Sequence, residues 1–184
     1  MATTKKATKK DDAQNQKALP KTKTSKPFQN HTPALKPGDK APLFKGVDQD
    51  GNKISLTDYK GKKLMVYFYP KDDTPTCTVQ ACNLRDHFAA LRKAGIEVVG
   101  VSGDSVDRHK KFETKYNLPF RMISDESLAI IKAYDVWGPK QFMGKKFDGL
   151  VRTTFLINEK GIIDHIITKP NSKEHSEEIL DLWN

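Results

Sequence analysis

The run Leu64-Met65-Val66-Tyr67-Phe68-Tyr69 has no polar alternation, so it reads as a strand covered on both faces and ended by Pro70, which has no N–H for the ladder. Further on, Leu84, Phe88 and Leu91 recur at i, i+4 and i+7, the spacing of one helix face. The stretch between them, Pro70 to Cys82, reads PKDDTPTCTVQAC. Thr74 fits an N-cap, Pro75 the first helical position, Thr76 the second and Cys77 the third, while Gly95 fits the left-handed stop at the far end.

The rest of the chain frames this unit. Lys36-Pro37-Gly38-Asp39 is a turn cluster that marks a domain start, giving a tail over 1–36 and a domain over 37–184. Short strands are predicted around 43–47 and 53–56, with Gly51 in the left-handed position of their loop, then one helical turn at 57–59. Ile96 to Ser102 is a second buried strand, and a helix opened by Asp104 or Ser105 runs to Tyr116, where Asn117-Leu118-Pro119 stops it. A strand near 121–123 precedes Ser124-Asp125-Glu126, a cap for a helix over 127–134. Residues 138–149 read as a long basic loop; strands at 150–157 and 162–168 turn through Asn158 to Gly161, and a helix from Ser172 to about Leu182 closes the chain. A hairpin, a β-α-β unit with a crossover long enough for parallel strands, then an antiparallel pair and a helix build an α/β fold: a mixed central sheet with helices on both faces.

The third position of a helix usually holds Glu in a capping box, because unpaired N–H groups and the positive end of the helix dipole favour an anion there. Here it holds the Cys77 thiol, and the same field favours the reactive thiolate. Thr74 adds a hydroxyl able to cap the backbone with its oxygen while its proton faces the sulfur's neighbour. Cys82 follows five residues on, which on an ideal helix puts the Cα atoms roughly 8.5 Å apart, beyond the limit of about 7 Å for a disulfide. The pair can bond only if the first turns unwind.

Pro70, Thr74 and Cys77 have the spacing P-x-x-x-T-x-x-C, which resembles the peroxidatic motif of the peroxiredoxins. The fuller run from Thr74 to Cys82, with YDVWG at 134–138, GKK at 144–146 and RTTFLI at 152–157, is similar to the bacterioferritin comigratory, or Q-type, subgroup over roughly residues 37–184. That resemblance implies a thioredoxin-like fold and a thiol peroxidase acting on hydrogen peroxide and organic hydroperoxides, recycled by thioredoxin or a similar dithiol, without a cofactor, as a monomer. Carried over by position, Cys77 is the peroxidatic cysteine, Cys82 the resolving one that closes an intramolecular disulfide, Thr74 and Pro70 shape the pocket, and Arg152 holds the thiolate and polarises the peroxide. Two positions depart from the family's pattern. Gln80 stands where Glu is common, and Thr76 where glycine often precedes the cysteine.

Charge adds a second theme. Of the formal +9, residues 1–36 carry +7, from nine lysines against Asp11 and Asp12, and the other 148 residues only +2. With almost no large apolar side chains, that tail is expected to be disordered. It reads either as a solubilising extension or as a weak, salt-sensitive, sequence-tolerant nucleic-acid contact. Nothing in it suits a secretory signal, no stretch reaches a membrane span, and two nearby cysteines without a disulfide framework point to a reducing cytoplasm. The histidines are scattered, no C-x-x-C pair or other metal spacing occurs, and there is no glycine-rich phosphate loop. Two rival readings remain: a general thiol-disulfide oxidoreductase, which usually wants C-x-x-C, and a nucleic-acid-associated protein using the tail. Trp137 and Phe142 read as a reductant-docking surface or as plain packing.

Overall fold

The computed structural model describes residues 28–183. Its centre is β3 (Lys63–Phe68), whose alternate side chains serve two different cores. Leu64, Val66 and Phe68 join Val99, Val101, Phe155 and Ile157 on one face, while Met65 and Tyr67, with Tyr69 beyond the strand, join Ala81, Leu84, Leu91 and Cys77 on the other. Each such fully buried side chain contributes about 1.5–3 kcal/mol relative to exposure, which fixes the strand's register on both sides.

Parallel to β3 lies β4 (Ile96–Ser102), followed by β5 (Arg121–Ser124), β1 (Lys45–Asp48) and β2 (Lys53–Ser55); on the other side lie the antiparallel β8 (Thr153–Ile157) and β9 (Ile163–Ile167). The sheet order is β2-β1-β5-β4-β3-β8-β9. The helices α1 (Pro75–Asp86), α2 (Phe88–Lys93), α3 (Val106–Tyr116) and α5 (His175–Trp183) cover the face that holds Cys77. The short α4 (Ala129–Ala133) and the 3-10 turn Leu56–Tyr59 cover the opposite face. This is the mixed α/β architecture that the hydrophobic pattern predicts.

Three local expectations are corrected. The helix predicted to run from Pro75 to Gly95 breaks at His87, where φ and ψ are −105° and 10° and the ring Nδ1 lies 3.0 Å from Asn83 O, crowding a carbonyl of the helical ladder. Gly95, at φ +76°, then ends α2. The basic loop at 138–149 is instead a two-stranded hairpin, β6 (Trp137–Phe142) and β7 (Lys145–Leu150), turned by Met143-Gly144. Both turn residues have positive φ, 48° and 78°, as a two-residue hairpin turn of matching twist requires. Arg152, expected inside a strand over 150–157, lies in the link between β7 and β8, because the Val151 N–H turns aside to donate to Val136 O at 2.8 Å.

Of the 1–36 tail, residues 1–27 lie outside the described residues. Residues 28–36, expected to be part of a disordered tail, instead run beside the hairpin and α4, because the folded domain supplies partners that the tail's own composition lacks: His31 N–H donates to Pro139 O (2.7 Å), Gln141 N–H to Asn30 Oδ1 (2.8 Å) and Ala34 N–H to Asp135 Oδ2 (2.7 Å), and Leu35 packs on the core.

The loop from β3 to α1 is pinned from below by α3. Buried Asp72 accepts the Tyr69 hydroxyl at 2.7 Å and meets His109 Nδ1 at 2.7 Å, while His109 Nε2 lies 3.1 Å from Ile123 O. The Asp72 N–H donates to Asp104 Oδ2 at 2.8 Å. Asp73, at a left-handed φ of 56°, is clasped by Lys115 Nζ (2.7 Å) and the Tyr116 hydroxyl (2.6 Å). Replacing His109 by Leu strands the buried Asp72 carboxylate and is expected to cost about 3 kcal/mol in urea unfolding, part of which Asp72→Asn in the same chain restores. A loss under about 1 kcal/mol would mean that the pair does not hold this loop.

Candidate active site

Pro70 follows β3 with an exposed ring, and the chain turns through Asp72 and Asp73 before Thr74 sets the start of α1 at φ −96° and ψ 152°. Pro75 is the first helical residue, so Cys77 is the third, as predicted. The Thr74 hydroxyl does not cap the helix. It donates to Lys71 O at 3.0 Å, closing the turn behind the helix instead. The Thr74 carbonyl accepts the first helical bond, from Thr78 N–H at 2.8 Å. The backbone N–H groups at the start of α1 carry the dipole's positive end towards the sulfur.

Cys77 is buried, 3 % exposed, against Ala81, Leu84, Met65 and Tyr67. Arg152 reaches it from the link before β8: Nη2 donates to Cys77 Sγ at 3.1 Å, and Nη1 donates to Gln80 Oε1. The guanidinium therefore bridges two side chains one helical turn apart on α1. Cys82 is half-buried on the same unbroken helix, and both cysteines are free thiols. Structure and spacing agree that they do not meet while α1 is formed.

Behind Arg152 lies a network that the sequence did not disclose. Gln80, fully buried, places Nε2 2.8 Å from His175 Nδ1, and His175 Nε2 lies 3.1 Å from Thr154 Oγ1. Burial first, and then the Arg152 cation, lower the His175 pKa to about 3, so the ring is neutral. Lys140 on β6 also faces the site. Burial and Arg152 hold its ammonium below the usual lysine range, partly offset by Cys77, and Nζ donates to Leu150 O at 2.8 Å. Tyr67 lies near Cys77 and Arg152; burial raises its phenol far above the ordinary value, and its hydroxyl has no partner among the described residues. Neither His175 nor Lys140 carries a signal in the sequence beyond residue type, since one pairs with α1 across 95 positions and the other lies on the misread hairpin. Of the two aromatics with open readings, Trp137 packs on the core, whereas Phe142 is exposed.

A sheet that launches a helix with a thiol in its first turn, under a guanidinium brought from the antiparallel edge, defines a class, and residues 37–166 match it: the chain belongs to the AhpC/TSA family. Within that family it is a peroxiredoxin of the Bcp and Q kind. It is 45% identical to peroxiredoxin Bcp of Escherichia coli K12 over 147 residues, 80% of this chain and 94% of the relative. A putative peroxiredoxin of Coxiella burnetii is 46% identical over 147 residues, 80% and 97% of the two chains. Among solved structures, peroxiredoxin Q of Xanthomonas campestris superposes with a TM-score of 0.73 at 31% identity, covering 81% of this chain and 94% of that one. The fold is thus the thioredoxin-like one that the resemblance implies.

The neutral, buried His175 gives this region a pH signature. Its folded pKa of about 3 lies below the value of about 6.5 in an unfolded chain, so the unfolded state binds the proton first. The stability it contributes is complete above pH 6.5 and is lost as pH falls from there towards 3. In denaturant unfolding at pH 7 and pH 5, the wild type is expected to lose about 2 kcal/mol more than His175→Asn.

Proposed function

We propose that Cys77 attacks hydrogen peroxide and organic hydroperoxides, that Cys82 resolves the product, and that a dithiol of the thioredoxin type recycles the enzyme. The observation that carries this reading is Arg152 Nη2 at 3.1 Å from Cys77 Sγ, at the third position of α1. The thiolate attacks one peroxide oxygen, the O–O bond breaks with its electron pair going to the other, and that oxygen leaves as water or alcohol after taking up a proton. Sulfur is oxidised to the sulfenic acid, the reversible first rung of its oxidation. Arg152 and the N–H groups at the start of α1 stabilise the charge that separates. Pro70 and Thr74 shape the turn that seats the sulfur. Alkyl peroxide reduction is in keeping with a related Xanthomonas campestris bacterioferritin comigratory protein, whose structure is described in terms of that activity.

The sulfenic acid then condenses with the Cys82 thiol, releasing water and forming the disulfide, once the first turns of α1 open. Asn83 marks where that opening ends. Its Oδ1 accepts Ser176 N–H (2.8 Å) and Oγ–H (3.0 Å), and its Nδ2 donates to Lys173 O (2.9 Å), tying α1 to the start of α5 directly after Cys82. The external dithiol reduces the disulfide by exchange, supplying two electrons and two protons. Residues 37–184 form the catalytic domain in this reading, acting as a monomer in the cytoplasm, and the lysine-rich 1–36 extension adds at most a weak nucleic-acid contact. No helix among the described residues is long and apolar enough to cross a membrane.

Cys77→Ser is expected to abolish thioredoxin-coupled peroxide consumption, and full retention would refute the assignment. With Cys82→Ser, steady-state turnover collapses while one oxidation of Cys77 survives; intact-mass analysis of the wild type after one equivalent of peroxide shows the loss of two hydrogens mapped to the two thiols. Arg152→Met lowers the rate constant for hydrogen peroxide by about a hundredfold in stopped-flow oxidation of Cys77.

A further inference from the structure

We propose that His175 is a positioning residue for the thiol centre: its Nδ1 holds the Gln80 amide the one way round that lets Arg152 grip the Cys77 thiolate. The inference rests on Cys77 being the attacking sulfur.

Arg152 offers only N–H donors, so Gln80 must turn its carbonyl oxygen towards it, as it does. Turned over, the amide would set an NH2 group against the guanidinium, donor against donor. What decides between the two orientations is the group at the amide's other end. Gln80 is fully buried, and that end meets His175 Nδ1 at 2.8 Å. An NH2 donor there requires a bare Nδ1, which puts the ring proton on Nε2, and Nε2 faces Thr154 Oγ1 at 3.1 Å. Donation then runs in one sense, from His175 to Thr154 at one end, and from Gln80 to His175 and Arg152 to Gln80 and Cys77 at the other. Three elements, α1, α5 and β8, meet in this chain of bonds.

Protonating His175 would break it twice, by pitting one donor against another and by adding a cation beside Arg152. Burial keeps the ring neutral, and His175 is itself 0 % exposed. Arg152 is the charged group that acts on the ring, while Cys77 is faced by Arg152, Lys140 and Tyr67. The ring's place is set independently of the amide, because Asn83 on α1 receives the N–H of the next residue, Ser176.

The test measures the second-order rate of Cys77 oxidation by hydrogen peroxide in the full chain, with unfolding recorded alongside. His175→Leu removes the acceptor and is expected to slow oxidation about tenfold, the worth of one misplaced charged hydrogen bond. His175→Asn, whose Oδ1 can accept where Nδ1 did, brings the rate back to within about threefold of wild type. A carboxylate has two equivalent oxygens and needs no orienting, so in a Gln80→Glu background His175→Leu changes the rate less than about twofold, whatever it does to stability. Nitrogen-15 spectra of the wild type at pH 7 show the imidazole proton on Nε2. The proposal is overturned if His175→Leu reacts as fast as wild type, if His175→Asn is as slow as His175→Leu, if the loss is the same in the Gln80→Glu background, or if the proton sits on Nδ1. A wild type that consumes hydrogen peroxide no faster than Cys77→Ser would instead sink the assignment of Cys77, a different failure.

Discussion

One guanidinium on one sulfur is the contact that the rest of the molecule is arranged to permit. Cys77 reaches its place because β3 is locked into two cores, because Pro70 ends the strand, and because α3 clamps Asp72 and Asp73 in the turn between strand and helix. Arg152 reaches it because the chain leaves β7 through the Val151 bond to Val136 before joining β8. The two side chains come from parts of the chain 75 residues apart. Their separation of 3.1 Å depends on both routes being rigid.

The two buried histidines in these supports work in different ways. His109 has an oxygen facing each ring nitrogen, one from the Asp72 carboxylate and one from the Ile123 carbonyl, and serves as a clamp on the turn. His175 has a donor on one side and a hydroxyl on the other, so its ring transmits an orientation while remaining neutral. Buried polar groups of this sort hold a unique arrangement only when every member is satisfied.

The strand, turn and helix around Cys77 were legible in the sequence because each announces itself locally. An unbroken apolar run, a proline and a Thr-Pro helix start are short-range signals, and the resemblance over 37–184 pointed to Arg152. The hairpin at 137–150 was not legible, since its turn is Met-Gly and its solvent-facing lysines look like loop composition. The break at His87 hid within a helical periodicity that continues from Leu84 through Phe88 to Leu91. His175 left no trace because its partners are single polar atoms on distant elements. Such contacts have no period and no spacing to read.

In the proposed cycle the amide at position 80 also bears on the second half-reaction. The groups that Arg152 grips are a neutral amide and the Cys77 sulfur, so in the proposed cycle the negative charge that it meets is the attacking thiolate. Once oxygen is transferred and the sulfenic acid holds its proton, that counter-ion is gone and the Coulomb attraction between Arg152 and α1 goes with it. A carboxylate in place of the amide would leave an opposite charge facing the arginine throughout. In the proposed cycle the first half-reaction would then loosen the very turns that must open for the second, with the substrate's own oxygen acting as the release.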